Sequence, residues 1–213
     1  MATNASNELS FKLIFIGDSN VGKTTLINKY VNGTFSEEIP PTIGLESKTK
    51  TIDINGLKAN LQIWDTAGQE KFNSLSKQYF QNSDGILLVF DVTNKDSFNN
   101  IKKWYDDVIS YSGDKAKKLL IGNKNDMKDS VKVTKDEITK FIKANNLKFI
   151  ETSAKDNTNV EEAFKKIIDL IVGKMQNDEL LEEFGVNAKK EHSMSLSNST
   201  LNNMTGEKKK KCC

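Results

Sequence analysis

The sequence predicts an α/β fold: a mostly parallel six-stranded sheet covered by helices on both faces. Three observations carry this prediction. Short apolar runs alternate with segments of helical periodicity, the pattern of a sheet whose strands are joined by crossover helices. The run Gly85-Ile86-Leu87-Leu88-Val89-Phe90-Asp91 is apolar without alternation, as a strand buried on both faces must be. The turn Gly17-Asp18-Ser19-Asn20-Val21-Gly22-Lys23-Thr24 lies between an apolar run and a helical pattern, which is the strand–loop–helix setting of G-x-x-x-x-G-K-[ST].

Taken in order, Phe11–Ile16 reads as a buried strand and Thr25–Val31 as the opening of a helix. Ser47–Asn55 and Leu57–Asp65 alternate polar and apolar residues and turn at Asn55-Gly56, a hairpin signal. After the strand 85–91, Phe98, Ile101, Trp104, Tyr105 and Val108 recur at helical spacing behind Asp96-Ser97, read as the cap. Trp104 and Phe98 are assigned to the core. Leu119–Asn123 is a strand, and Thr134-Lys135-Asp136-Glu137 is a capping box opening Ile138–Ala144. Leu147–Glu151 is the last strand, and Val160, Ala163, Phe164, Ile167, Ile168, Ile171 and Val172 line the last helix. The pattern decays after about Asn177, and residues 193–205, rich in Ser, Asn, Thr and Met, read as a flexible linker. The expected organisation is a flexible N-terminus over 1–9, one domain over 10–176 and a flexible tail over 177–213.

Composition narrows the function classes. No apolar run approaches the roughly 20 residues of a membrane span. The N-terminus shows no basic or apolar signal region, so no secretory signal is expected, and Ala2 excludes N-myristoylation. The net charge is +2, but Lys208 to Lys211 stand together near the end and the remainder carries −2; the body is not a basic nucleic-acid binder. The 2 cysteines are Cys212 and Cys213, too close in sequence to form a relaxed disulfide. The sequence contains no arginine; all 31 basic residues are lysine.

In sheets of this kind ligands bind at the C-terminal ends of the strands, and four of five motifs fall just after a strand. Residues Gly17 to Thr25 form a cradle whose backbone N–H groups and helix N-terminus suit phosphate. Lys23 reaches the terminal phosphates, and the Thr24 hydroxyl ligates Mg²⁺. Asp65-Thr66-Ala67-Gly68-Gln69-Glu70 places an acid for Mg²⁺, a Gly68 N–H for the γ-phosphate and Gln69 to orient an attacking water. In Asn123-Lys124-Asn125-Asp126, the Asp126 carboxylate can accept from guanine N1–H and N2–H₂, a donor pair that adenine lacks. Glu151-Thr152-Ser153-Ala154-Lys155 offers a backbone N–H to guanine O6. Pro40-Pro41-Thr42-Ile43-Gly44 is a stiffened loop whose Thr42 hydroxyl completes an octahedral oxygen set for Mg²⁺ with Thr24, phosphate oxygens and waters. Loss of the γ-phosphate would release Thr42 and Gly68 together. A nucleotide-locked scaffold and a P-loop ATPase or kinase are the alternatives; Gln69 argues against the first and Asp126 against the second.

The five motifs, in this order and at compatible spacing, resemble the Ras-like small GTPases over roughly residues 10–175. Within them the chain is similar to the Rabs, on Ile63-Trp64-Asp65-Thr66-Ala67-Gly68-Gln69-Glu70, Leu88-Val89-Phe90-Asp91-Val92-Thr93 and Cys212-Cys213. The resemblance implies the small G protein P-loop fold and a GDP/GTP switch in vesicle traffic with Mg²⁺ as cofactor. It implies Gln69, Lys23 and Gly68 as the catalytic group, Phe35 against the guanine ring and Lys124 along the base. Geranylgeranyl groups on Cys212 and Cys213 would anchor a monomer to the cytoplasmic face of an intracellular membrane, from which it cycles with the cytosol. Implied partners are an exchange factor, an activating protein that supplies the missing arginine, a prenylation escort protein, a GDP-dissociation inhibitor, and effectors reading residues around 36–47 and 68–80. Rabs usually carry Ile-Gly-Val-Asp-Phe after the loop threonine, whereas this chain has Ile43-Gly44-Leu45-Glu46-Ser47. Glu70–Leu75 also lacks the usual arginines.

Overall fold

The computed structural model describes residues 9–68, 80–112 and 115–177, with side chains of the last segment described to residue 173. The elements run β1 (Leu9–Ile16), α1 (Lys23–Asn32), β2 (Leu45–Ile54), β3 (Leu57–Thr66), β4 (Gly85–Asp91), α2 (Lys95–Asn99), α3 (Ile101–Ser112), β5 (Lys117–Asn123), α4 (Lys135–Ala144), β6 (Lys148–Glu151) and α5 (Val160–Asn177). They form a 6-stranded sheet in the order β2-β3-β1-β4-β5-β6. β2 runs antiparallel to β3, and the other neighbours are parallel.

Strand periodicity divides the core in two. Adjacent residues of a strand face opposite sides, so Leu13, Phe15, Leu87 and Val89 enter one core while Ile14, Ile16, Ile86 and Leu88 enter the other. The first core is closed by Leu26 and Ile27 of α1 and by Phe164, Ile167 and Ile171 of α5. The second is closed by Ile101, Trp104 and Val108 of α3 and by Ile138 of α4. Helices therefore cover both faces. The turns at the C-terminal ends of β1, β3, β5 and β6 are gathered along one edge, which brings the sequence motifs together.

The helical pattern after β4 resolves into two helices rather than one. Asn94, not Asp96-Ser97, is the cap: its side-chain oxygen accepts from the N–H of Asp96 at 3.0 Å and of Ser97 at 3.3 Å. The Ser97 hydroxyl is already committed to the Asn94 carbonyl at 2.7 Å, which is why it caps nothing itself. The capping box of α4 forms as the sequence predicts, with Thr134 and Glu137 bonded reciprocally. Glu137 also pairs with Lys95. Lys95, then the Thr134 hydroxyl and backbone N–H, pull its carboxyl down to about 2.

Two outcomes follow. Thr134→Ala should cost about 1 kcal/mol, the usual value of a lost cap, whereas Leu87→Ala in the central strand should cost roughly 2–5 kcal/mol; chemical denaturation measures both. Because the folded-state pKa of Glu137 lies below its unfolded value, its contribution is present at neutral pH and fades as pH falls from the ordinary glutamate range toward about 2. Glu137→Gln should therefore flatten the fall of Tm between about pH 5 and pH 3, an effect that salt weakens because the pair is exposed. Parallel pH profiles for the two proteins would contradict this assignment.

Candidate functional site

The residues after β1 turn sharply into α1. Gly22 has φ 95°, and a Cβ there would lie 2.3 Å from the Asn123 side chain, so glycine is required both by its backbone and by its neighbour. No side chain caps α1, and its first turn holds no acid. Its leading N–H groups and positive end are left for an anion. Lys23 is buried, and its ammonium donates to the carbonyls of Gly17 and Asp18, each at 2.8 Å. Burial pushes it down to about 8, against the opposing charges of Asp65 and Asp18. A phosphate beside it would favour the charged form.

Thr24, Thr42 and Asp65 come from three separate segments and meet. The Thr24 hydroxyl donates to Asp65 Oδ2 at 2.5 Å, and the two threonine hydroxyls lie 2.9 Å apart. Thr42 reaches the same carboxylate oxygen at 3.2 Å. Burial pushes the Asp65 carboxyl up, opposed by the Thr24 bond and the Lys23 charge. Its other oxygen, Oδ1, is buried without a hydrogen-bond partner among the described residues. Hard oxygen donors beside an unsatisfied buried carboxylate oxygen fit Mg²⁺. No cluster of three or more Asp, Glu, His or Cys among the described residues could hold a metal, so a cation here would depend on the two hydroxyls and on phosphate oxygens.

The proline loop is tied to the end of β3 by backbone: the Ala67 N–H donates to the Gly44 carbonyl at 2.9 Å. Gly68 in turn lies against the phosphate loop, where a Cβ would come within 2.3 Å of the Ser19 nitrogen. Any side chain at 68 would force these two segments apart.

The far end of the site is braced by Asn123, whose amide donates to the Val21 carbonyl at 2.9 Å and whose oxygen accepts from Thr152 at 3.1 Å. Asn123 thereby locks three motif segments to one another. Lys124 pairs with Asp91 at 2.7 Å, and the Ser153 hydroxyl donates to Asp126 at 2.6 Å, holding a carboxylate in the cavity wall.

These groups line a cavity of about 520 Å³, within the range of small-molecule sites. Of the predicted residues, Ser19, Asn20, Gly22, Lys23, Thr24, Thr25, Phe35, Thr42, Gly68, Asn123, Lys124, Asp126, Ala154 and Lys155 line it. Gly17, Val21, Asp65 and Ser153 stand behind the wall, where they position it. Asp18 is turned toward α3, with Trp104 and Asn100 as its partners. Gln69, residues 70–79, the lysine run 208–211, Cys212 and Cys213 lie outside the described residues. The sequence reading missed Glu37, Ser36, Ile39 and Met127 as lining residues. Glu37 pairs with Lys155 at 2.8 Å, joining the two sides of the cavity mouth. No local signal marks that pair, because 118 residues separate its members.

A family model described as the Ras family matches residues 12–173. The GTP-binding protein ypt1 of Schizosaccharomyces pombe is 42% identical over 175 residues, 82% of this chain and 86% of its own. The GTP-binding protein YPT1 of Saccharomyces cerevisiae is 39% identical over 212 residues, 99% and 100% of the two chains. The Ras-related protein Rab-12 of Homo sapiens is 41% identical over 177 residues, 83% and 72% of the two chains.

The exposed Glu37–Lys155 pair should act as a weak clasp on bound nucleotide. Glu37→Lys should speed GDP release about two- to threefold at low salt, the scale of a surface ion pair. The difference should vanish near 1 M salt, where screening is nearly complete. A rate ratio that does not respond to salt would assign the effect to something other than this pair.

Proposed function

Because the chain belongs to the Ras family, as a Rab-type small GTPase that hydrolyses GTP to GDP, we propose that it is a GDP/GTP switch in vesicle traffic, working on the cytoplasmic face of an intracellular membrane. The observation that carries this reading is the meeting of Thr24, Thr42 and Asp65. A loop residue that shares a cation site with the phosphate loop makes loop position depend on what occupies the site.

Each side chain has a defined part. The Gly17–Thr25 cradle and the start of α1 bind the phosphates, and Lys23 places its charge on the terminal ones. Thr24, Thr42 and, behind them, Asp65 hold Mg²⁺, which when bound neutralises charge on the phosphate oxygens. Phe35 packs on the guanine, Lys124 runs along it, and Asp126 accepts its N1–H and N2–H₂. Ser153, Ala154 and Lys155 close the base side, with a backbone N–H toward O6. Gly68 brings its N–H to the γ-phosphate, and Gln69 orients the attacking water. Without the γ-phosphate, Thr42 and Gly68 lose their partners together, and the Gly44–Ala67 bond makes this one event rather than two.

The sequence holds no arginine, so positive charge for the transition state comes from Lys23, the cation and a partner. Intrinsic hydrolysis is slow, and an activating protein supplies the arginine. An exchange factor reloads the switch. Effectors read residues around 36–47 and 68–80, where Ile43 is 83% exposed. Ser47 lies opposite Trp64 in the β2–β3 register, so the surface beside Trp64 lacks the aromatic that Rabs usually place there. The GTPase domain spans residues 10–176. Geranylgeranyl groups on Cys212 and Cys213, added with an escort protein, act with the lysine run as a two-signal membrane anchor. A GDP-dissociation inhibitor returns the monomer to the cytosol.

Single-turnover hydrolysis tests this reading. An activating protein should raise the rate by roughly 10³–10⁵, and Gln69→Leu should abolish that stimulation while GTP stays bound. Intrinsic turnover within a few-fold of the stimulated rate would refute the dependence. Thr24→Asn should weaken Mg²⁺ binding, moving the Mg²⁺ titration of nucleotide retention to higher concentration, and favour the GDP or empty form; an unaltered Mg²⁺ titration would remove Thr24 from the cation site.

A further inference from the structure

Asp18 lies in the phosphate loop, yet its carboxylate faces away from the cavity. Trp104 Nε1 donates to Oδ1 at 2.7 Å and Asn100 Nδ2 donates to Oδ2 at 2.7 Å. The donors differ in burial: Trp104 is buried and Asn100 is exposed. Trp104 is 6% exposed within the second core. Asn100 is the junction of α2 and α3: its N–H donates to the Asp96 carbonyl at 2.9 Å and its carbonyl accepts from the Trp104 N–H at 3.1 Å.

The backbone of the same residue faces the other way. The Asp18 carbonyl accepts from Lys23 Nζ at 2.8 Å, and its carbonyl carbon lies 2.3 Å from where a Cβ on Gly68 would stand. One residue thus joins the start of α3 to the lysine and the glycine assigned to the terminal phosphates. A carboxylate at this point of the loop would repel a polyphosphate if it swung toward the cavity. Two short hydrogen bonds to a charged acceptor, stronger than neutral ones, fix it on the opposite side.

We propose that Asn100 and Trp104 are positioning residues for nucleotide binding, acting through the Asp18 carboxylate to hold the loop backbone that carries Lys23 and abuts Gly68. This rests on the reading of the cavity as a nucleotide site. The sequence places Trp104 only in the core; its ring is there, and its N–H has this second task.

The test is release of fluorescent GDP from the full-length protein in Mg²⁺, with K23A as the reference. W104F keeps the packing ring and loses the N–H; N100A loses the other donor. W104F should release GDP about tenfold faster, the scale of one bond to a charged group, and N100A, whose exposed bond water can replace, about threefold faster. N100D should also speed release, because it sets a carboxylate against the Asp18 carboxylate, a clash that no side-chain rotation relieves. The exchange D18N/N100D restores a donor–acceptor pair between the two positions and leaves Trp104 an acceptor, so its rate should return to within about threefold of wild type. That rescue is not expected if the residues serve packing alone. Wild-type release from W104F and N100A, beside a K23A protein that has lost GDP, would overturn the anchor and leave the nucleotide site standing. A K23A protein that retains GDP normally would overturn the underlying reading instead. Should W104F fail to fold, N100A and the exchange decide the matter: an exchange no better than N100D overturns the proposal.

Discussion

One buried carboxylate oxygen, Asp65 Oδ2, is shared by two hydroxyls that have no other reason to meet. Thr24 arrives on the first turn of α1 and Thr42 on a loop without regular structure. Asp65 is fixed near the end of β3, which is paired along both sides. A carboxylate in this position is pushed toward neutrality by burial, and two hydroxyl donors offset only part of that cost. The unpartnered Oδ1 marks the remainder. A divalent cation would supply the missing charge, and in the proposed switch it would tie ligand state to loop position at this point of the fold.

The coupling extends from there through backbone rather than side chains. The β2–β3 hairpin continues one bond past its regular ladder, from the Ala67 N–H to Gly44. Displacing the Thr42 loop therefore pulls on the segment that carries Gly68 against the phosphate loop. The parallel sheet supplies the opposing rigidity: β1, β4 and β5 are buried through most of their length, and Asn123 bolts the end of β5 to the phosphate loop.

Most of the fold was legible because strand and helix periods differ. Gly85–Asp91 and the α5 pattern Val160, Ala163, Phe164, Ile167 and Ile171 were readable from spacing alone. The break at Asn100 was not, because α2 and α3 keep nearly the same apolar phase across it. Motif residues were legible wherever a backbone requirement or a specific donor pattern singles them out, as at Gly22, Lys23 and Asp126. Contacts that depend on distant packing left no trace: Glu37 with Lys155, and Asp18 with Trp104, are joined by topology, and nothing near either residue announces its partner. Ser47 shows the reverse case. The sequence exposed a missing aromatic, and the register with Trp64 supplied the place where its absence is felt.

In the proposed switch this cavity takes guanine nucleotide through Asp126 and holds it with a cation at Thr24, Thr42 and Asp65. The most direct measurement is nucleotide content and exchange on the purified full-length protein, with GDP, GTP and ATP competing at equal concentration, with and without Mg²⁺. Tight retention of GDP and GTP, exclusion of ATP, and loss of retention when Mg²⁺ is removed are expected. Binding that tolerates ATP, or that is indifferent to Mg²⁺, would contradict this reading and return Asp126 and the Thr24–Thr42–Asp65 cluster to purely structural roles.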